Sequence, residues 1–90
     1  MSETISIIIP SYQHADSITA CLESLFAQTR KADEIIVVDD GSTDNTRERL
    51  LPYEDRITYV HQKNAGASAA RMTGFEMSSG SLILFCDADI

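Results

Sequence analysis

The stretch Glu34-Ile35-Ile36-Val37-Val38-Asp39-Asp40-Gly41-Ser42-Thr43-Asp44 decides the fold. An unbroken run of aliphatic, mostly β-branched residues reads as a strand covered on both faces, as in a parallel sheet. Two carboxylates follow directly at its carboxyl end. The same arrangement recurs at Leu82-Ile83-Leu84-Phe85, followed by Cys86 and then Asp87-Ala88-Asp89. In an open α/β sheet the crevice at the carboxyl ends of the strands receives the ligand, so both acidic clusters are placed to face one.

Elsewhere the apolar period alternates between strand-like runs and helical spacing, the pattern of successive βαβ units. Thr4 to Ile9 is the first predicted strand. Ile18, Cys21, Leu22, Leu25 and Phe26 recur at helical spacing, giving a helix capped by Asp16 that ends near Thr29. After the strand Glu34 to Val38, Ser42 or Thr43 is expected to cap a second helix through about Leu51, where Pro52 blocks continuation. A short strand from Ile57 to His61, an Ala-rich helix from Gly66 to Met77 and a strand from Leu82 to Cys86 complete a βαβαβαβ order. Right-handed crossovers place helices on both faces and gather all strand carboxyl ends on one rim. That rim is expected to carry Pro10-Ser11-Tyr12, Asp39-Asp40, His61 and Asp87-Ala88-Asp89.

Composition narrows the function. The 90 residues are 43% hydrophobic and 23% charged, as in an ordinary globular α/β protein, and fit one domain or part of one. A net charge of -7 with only seven scattered Lys and Arg argues against a nucleic-acid binder. An acidic site that handles phosphates needs a cation between them. No stretch approaches the roughly 20 apolar residues needed to span a bilayer, and the first residues lack a signal peptide's basic flank, so the chain reads as cytoplasmic. Cys21 and Cys86 are expected to be buried reduced thiols.

Asp87 and Asp89, one residue apart after a strand, can supply one direct oxygen ligand and one outer contact to Mg²⁺ or Mn²⁺, with diphosphate oxygens completing the octahedron. Asp39 and Asp40 repel each other when both are ionised, so at least one is expected to be held by hydrogen bonds, and Asp40 is the residue expected to contact ligand. Tyr12 either stacks on a flat base or packs over the rim. His14 and His61 are expected in exposed loop or strand-end positions. Arg71 either pairs with an exposed carboxylate or reaches the pocket. An acid after the second strand also suits a dinucleotide-binding dehydrogenase, but the first turn, Pro10 to Asp16, contains no glycine and cannot form the G-x-G-x-x-G cradle. A phosphate-loop NTPase fails for the same reason. A non-enzymatic interaction module that pairs through the fourth strand is the remaining rival.

Four blocks carry a resemblance: Ile7-Ile8-Ile9-Pro10-Ser11-Tyr12, the stretch from Glu34 to Asp44, Asn64-Ala65-Gly66 leading to Ala69-Ala70-Arg71, and Phe85-Cys86-Asp87-Ala88-Asp89. In this order they resemble the nucleotide-sugar-binding half of a family 2 glycosyltransferase with the A-type fold. The resemblance covers the whole chain and about the first half of such a catalytic domain, and it implies a Rossmann-like sheet with strand order 3-2-1-4. It implies that Pro10, Ser11 and Tyr12 line the base and ribose pocket and that Asp40 bonds the base, commonly of a uridine diphosphate sugar. It further implies Asp87 near the ribose and Asp89 on the divalent cation, with Asp39 and Arg71 completing the nucleotide-binding set. The implied reaction is inverting transfer of the sugar to an acceptor hydroxyl. The family's general base and most acceptor contacts come from the later half, so no catalytic residue is expected within these 90 residues. Gln13 and Met72 stand where the family often has Asn. The fourth strand is expected to leave an uncovered edge, and self-association through it is expected.

Overall fold

The structure is a computed structural model and describes residues 3–28 and 30–88. Four parallel strands, β1 (Ile5–Ser11), β2 (Glu34–Asp40), β3 (Thr58–Gln62) and β4 (Leu82–Phe85), form one sheet in the order β3-β2-β1-β4. The helices between them are α1 (Ala15–Phe26), α2 (Thr46–Leu50) and α3 (Ala67–Met77). The expected order and strand arrangement are therefore observed.

Period-two alternation of the central strands divides the core into two layers. Ile7, Ile9, Ile35 and Val37 face Ile18, Cys21, Leu22 and Leu25 of α1 and Leu50 of α2. Ile8, Ile36 and Val38 face the other way, against Ala70 of α3. Small residues let α3 lie close: a methyl group added at Gly74 would overlap the Ile8 side chain. β1 and β2, flanked on both sides, are the buried strands. β4 is an edge, with Leu82, Leu84 and Phe85 exposed. No helix among the described residues is long and apolar enough to cross a membrane.

Helix boundaries depart from the expectations for one local reason. Asp16 lies inside α1 and caps nothing; instead the Asp44 carboxylate, from the loop after β2, accepts the Ala15 amide at 3.2 Å. The same carboxylate accepts the Thr46 amide at 3.1 Å and the Thr46 hydroxyl. Asp44 thus starts both α1 and α2, and neither Ser42 nor Thr43 is the cap. Ser42, Thr43 and Asp44 are engaged by Gln13, whose side-chain oxygen accepts the amides of Thr43 and Asp44 at 2.7 and 3.2 Å. The Gln13 amide in turn donates to the Ser42 hydroxyl at 2.9 Å. Gln13 sits at φ 58°, a left-handed conformation uncommon for a residue with a side chain, and these bonds hold it there. Pro52 acts as expected: the α-helix stops at Leu50 and Leu51–Tyr53 tighten into a 3₁₀ turn.

Candidate functional site

At the carboxyl rim the β1–α1 turn, the end of β2, the first turns of α3 and the segment after β4 enclose a cavity of about 300 Å³. Its walls include Pro10, Ser11, Tyr12, Asp40, Arg71 and Asp87. The structure therefore brings together six of the residues singled out from sequence. Asp39 is left out, and Asp89 lies outside the described residues.

Ser11 ends β1 and is 2% exposed, and its hydroxyl has no hydrogen-bond partner. A buried hydroxyl without a partner is costly and uncommon. Ser11 is among the residues that line the cavity. Tyr12, the next residue, is 48% exposed, leaving its ring free to cover a flat group. Arg71 makes no ion pair among the described residues and reaches the cavity from α3. Of the two alternatives open for Arg71, pairing with a carboxylate is not seen among the described residues, and the side chain lines this cavity and a shallower one beside it.

The paired carboxylates after β2 have separate partners. Asp39 is 1% exposed and accepts the Tyr59 hydroxyl and, at 2.9 Å, the Ser42 amide. These bonds join β2 to β3 and fold the β2–α2 turn, and they occupy Asp39 away from the cavity. Burial, followed by the Asp39 bond and charge, pushes the Tyr59 phenol well above its ordinary pKa, so it stays protonated as the donor. Asp40, 3% exposed, accepts Gln62 Nε2 and the Ala65 amide on one oxygen, each at 2.9 Å. Its other oxygen accepts the Gly66 amide at 2.9 Å and Asn64 Nδ2 at 3.3 Å. Desolvation alone would raise its pKa, but the bonds from Gln62, Ala65 and Gly66 outweigh it and hold the carboxyl below its ordinary value. The expectation that hydrogen bonds relieve the repulsion thus holds for both residues, and the donors are protein groups. Asp40 borders the cavity while organising the loop that leads into α3. Gly66, at φ +101°, ends that loop.

His14 is the residue the sequence reading missed: expected as an exposed loop residue, it lines the cavity. Its place in the β1–α1 turn, three residues beyond Ser11 on the rim, was the available signal. Ala67, Ala70 and Ala88 also line the cavity, and only their small size, which leaves the space open, marks them. His61 is exposed on β3 as expected, away from this cavity.

A larger cleft of about 400 Å³ lies at the opposite, amino-terminal rim around Ser6, Asp33, Glu34 and Gly80. Its buried or central polar groups are engaged: Ser6 bonds Glu34 and Gly80, Glu34 also accepts the Ser79 amide, and Asp33 accepts the Ile5 amide, while Asp55 and Arg56 at its edge are exposed to solvent. Size favours that cleft and another of about 490 Å³ around Phe26, Lys31 and Arg56; the buried hydroxyl without a partner favours the carboxyl rim. No group of three or more His, Cys, Asp or Glu side chains that could hold a metal ion occurs among the described residues.

Comparison with solved structures defines the class. A mannosyltransferase from Pyrobaculum calidifontis, solved with GDP-Man and Mn²⁺, matches 99% of this chain with a TM-score of 0.90 at 26% identity, over 28% of its own length. The TarS 1-349 structure from S. aureus matches 96% of the chain with a TM-score of 0.87 at 30% identity, over 27% of its length. The sheet order and these neighbours make this a partial A-type glycosyltransferase fold. The chain belongs to glycosyl transferase family 2, whose sequence model matches residues 6–90. An uncharacterized Escherichia coli glycosyltransferase, YibD, is 47% identical over an alignment of 88 positions that covers 94% of this chain and 26% of that protein. The Streptococcus pneumoniae glycosyltransferase GlyA is 41% identical over an alignment of 92 positions that covers 99% of this chain and 13% of that protein. The chain thus spans about a quarter or less of these two relatives.

Proposed function

We propose that this chain forms the donor-binding part of a metal-dependent, inverting glycosyltransferase and holds the nucleoside diphosphate of a nucleotide sugar in the carboxyl-rim cavity. The observation that carries the reading is the buried, unpartnered Ser11 hydroxyl beside Tyr12, Arg71 and Asp87. Ser11 donates to or accepts from the base or ribose, Pro10 shapes the pocket wall, and Tyr12 covers the base. Asp40, its two oxygens accepting four protein donors, holds the β3–α3 loop against the pocket and so shapes the wall that the base meets. Asp87, exposed at the cavity, bonds the ribose. Arg71 offers a fixed positive charge to phosphate oxygens.

A hard divalent cation, Mn²⁺ or Mg²⁺, fits the chemistry of an all-carboxylate donor set beside a diphosphate. Asp89 would hold it, with diphosphate oxygens as further ligands. Such a cation would neutralise charge on the departing nucleoside diphosphate. Support comes from relatives: the mannosyltransferase structure contains GDP-Man and Mn²⁺, and a Mycobacterium tuberculosis glucosyl-3-phosphoglycerate synthase structure, 25% identical with a TM-score of 0.82, contains UDP and Mn²⁺. The acceptor hydroxyl attacks the anomeric carbon from the face opposite the leaving group. We assign its deprotonation to no residue of this chain.

Calorimetry with UDP and MnCl₂ tests the reading. Ser11→Ala removes no protein hydrogen bond, so folding stability should hold while affinity falls roughly 2- to 12-fold, the worth of one neutral hydrogen bond. Asp89→Ala should abolish the metal dependence. Absence of metal-dependent binding, or equal protection of the fold by NAD and UDP, overturns the proposal.

A further inference from the structure

The two cysteines, 65 positions apart, meet in space: Cys21 of α1 and Cys86, just beyond β4, place their sulfurs 3.8 Å apart. Both thiols also approach one acceptor, the carbonyl oxygen of Asp87, at 3.8 and 3.7 Å. Their positions follow from the fold. Cys21 belongs to the buried stripe of α1 that packs on Ile7 and Ile9. The Cys86 amide donates to the Ile8 carbonyl at 3.0 Å, carrying the β1–β4 ladder one residue further. Ala88, two residues on, is buried in the same cluster as Cys21 and also lines the cavity.

We infer that Cys21 and Cys86 form a reversible disulfide that couples thiol oxidation to the Asp87-Ala88 wall of the nucleotide cavity; the coupling, though not the disulfide, rests on the donor-binding reading. A disulfide needs the sulfurs about 1.8 Å closer than they stand. The oxidant is a low-molecular-weight disulfide such as oxidised glutathione. The half-buried Cys86, as thiolate, attacks one sulfur of the oxidant, breaking its S–S bond and releasing one small thiol. Cys21, as thiolate, then attacks the Cys86 sulfur of the mixed disulfide and releases the second small thiol. Two protein thiols are oxidised by two electrons, one small disulfide is reduced, and the two cysteine protons end on the released thiols. Burial, aided by the neighbouring Cys86, pushes the Cys21 thiol up to about 12, so little of it is thiolate at neutral pH and the second step is the slow one, helped only by the short distance between the sulfurs. Closure removes both S–H groups from the Asp87 carbonyl and draws Cys86 toward α1. That face is opposite α3, which forms the far wall of the cavity. The oxidised cavity therefore holds nucleotide less well.

The test treats the chain with oxidised glutathione at neutral pH, blocks remaining thiols, digests with trypsin and measures masses without reductant. The expected product is a peptide ending at Arg30 linked to the peptide beginning at Met72, released by dithiothreitol. Cys21→Ala should stop at a stable glutathione adduct on Cys86. Two persistent free thiols, a stable adduct in the unmodified sequence, or a disulfide between two chains overturns the inference. A second readout is UDP affinity in MnCl₂: oxidation should weaken it roughly tenfold, a difference of about 1.4 kcal/mol, with recovery on reduction and no response in Cys86→Ala, which lacks the thiol that reacts first. A linked peptide with unchanged affinity refutes the coupling alone. A linked peptide in a chain whose reduced form binds no UDP refutes the donor reading and leaves the disulfide standing.

Discussion

Asp40→Asn removes one oxygen from a group whose two oxygens each accept two donors. The amide retains one acceptor, sufficient for Gln62 and Ala65 or for Gly66 and Asn64, and turns an NH₂ toward the other pair. Two charge-assisted bonds are therefore lost, each worth about 1.5–3 kcal/mol. Two features reduce the cost. Asn64 keeps its 2.9 Å bond to the Asp40 carbonyl, and the Gly66 amide belongs to an exposed residue that water can reach. The expected destabilisation is about 2 kcal/mol, which for a domain of this size lowers Tm by roughly 8–16 °C. Thermal unfolding by circular dichroism, with urea titration to confirm an unchanged m-value, measures it. Asp40→Ala, which removes every acceptor, should cost more. A loss below about 0.5 kcal/mol, the size of an ordinary surface substitution, would refute the view that Asp40 organises the β3–α3 loop.

Further outcomes follow from the same contacts. Glu34 is held below its ordinary value of 4.5 chiefly by the Ser79 amide and the Ser6 hydroxyl. Asp40 and Asp44 are held below 3.8 by bonds that outweigh desolvation. Carboxyls depressed in the folded state stabilise it above their unfolded values and lose that effect as pH falls through the folded ones, so the urea midpoint should start to drop below about pH 4.5 and keep falling toward pH 2. Gly74→Ala adds helix propensity worth about 1 kcal/mol but drives a methyl into Ile8; overpacking, typically about 1–3 kcal/mol, should win and lower the urea midpoint. Arg71→Ala should leave thermal stability nearly unchanged while weakening UDP binding in calorimetry, because no ion pair among the described residues depends on it. We further propose that β4, an edge strand with exposed Leu82, Leu84 and Phe85, pairs with a second copy; concentration-dependent sedimentation is expected, and a monomer at all concentrations would refute it.

Local patterns alone determined the strands, the helices and the rim. A buried strand must be aliphatic on both faces, as Ile35-Ile36-Val37-Val38 is, and parallel connections send every strand's carboxyl end to one side. The sheet order came from family resemblance, since four similar apolar runs do not declare their neighbours, and the structure shows that order. Sequence favoured Asp40 over Asp39 for the ligand side but could not name the partners of either acid. Successive residues of a strand point to opposite faces, so Asp39 meets Tyr59 while Asp40 meets Gln62, Asn64 and the β3–α3 loop. Nor could it reveal that Asp44 begins two helices, that His14 enters the cavity, or that Ser11 lacks a partner, because each depends on segments that meet only after the sheet assembles. The meeting of Cys21 with Cys86 is the longest-range case: 65 residues separate them in the chain, and packing of α1 over the end of β4 brings them within reach.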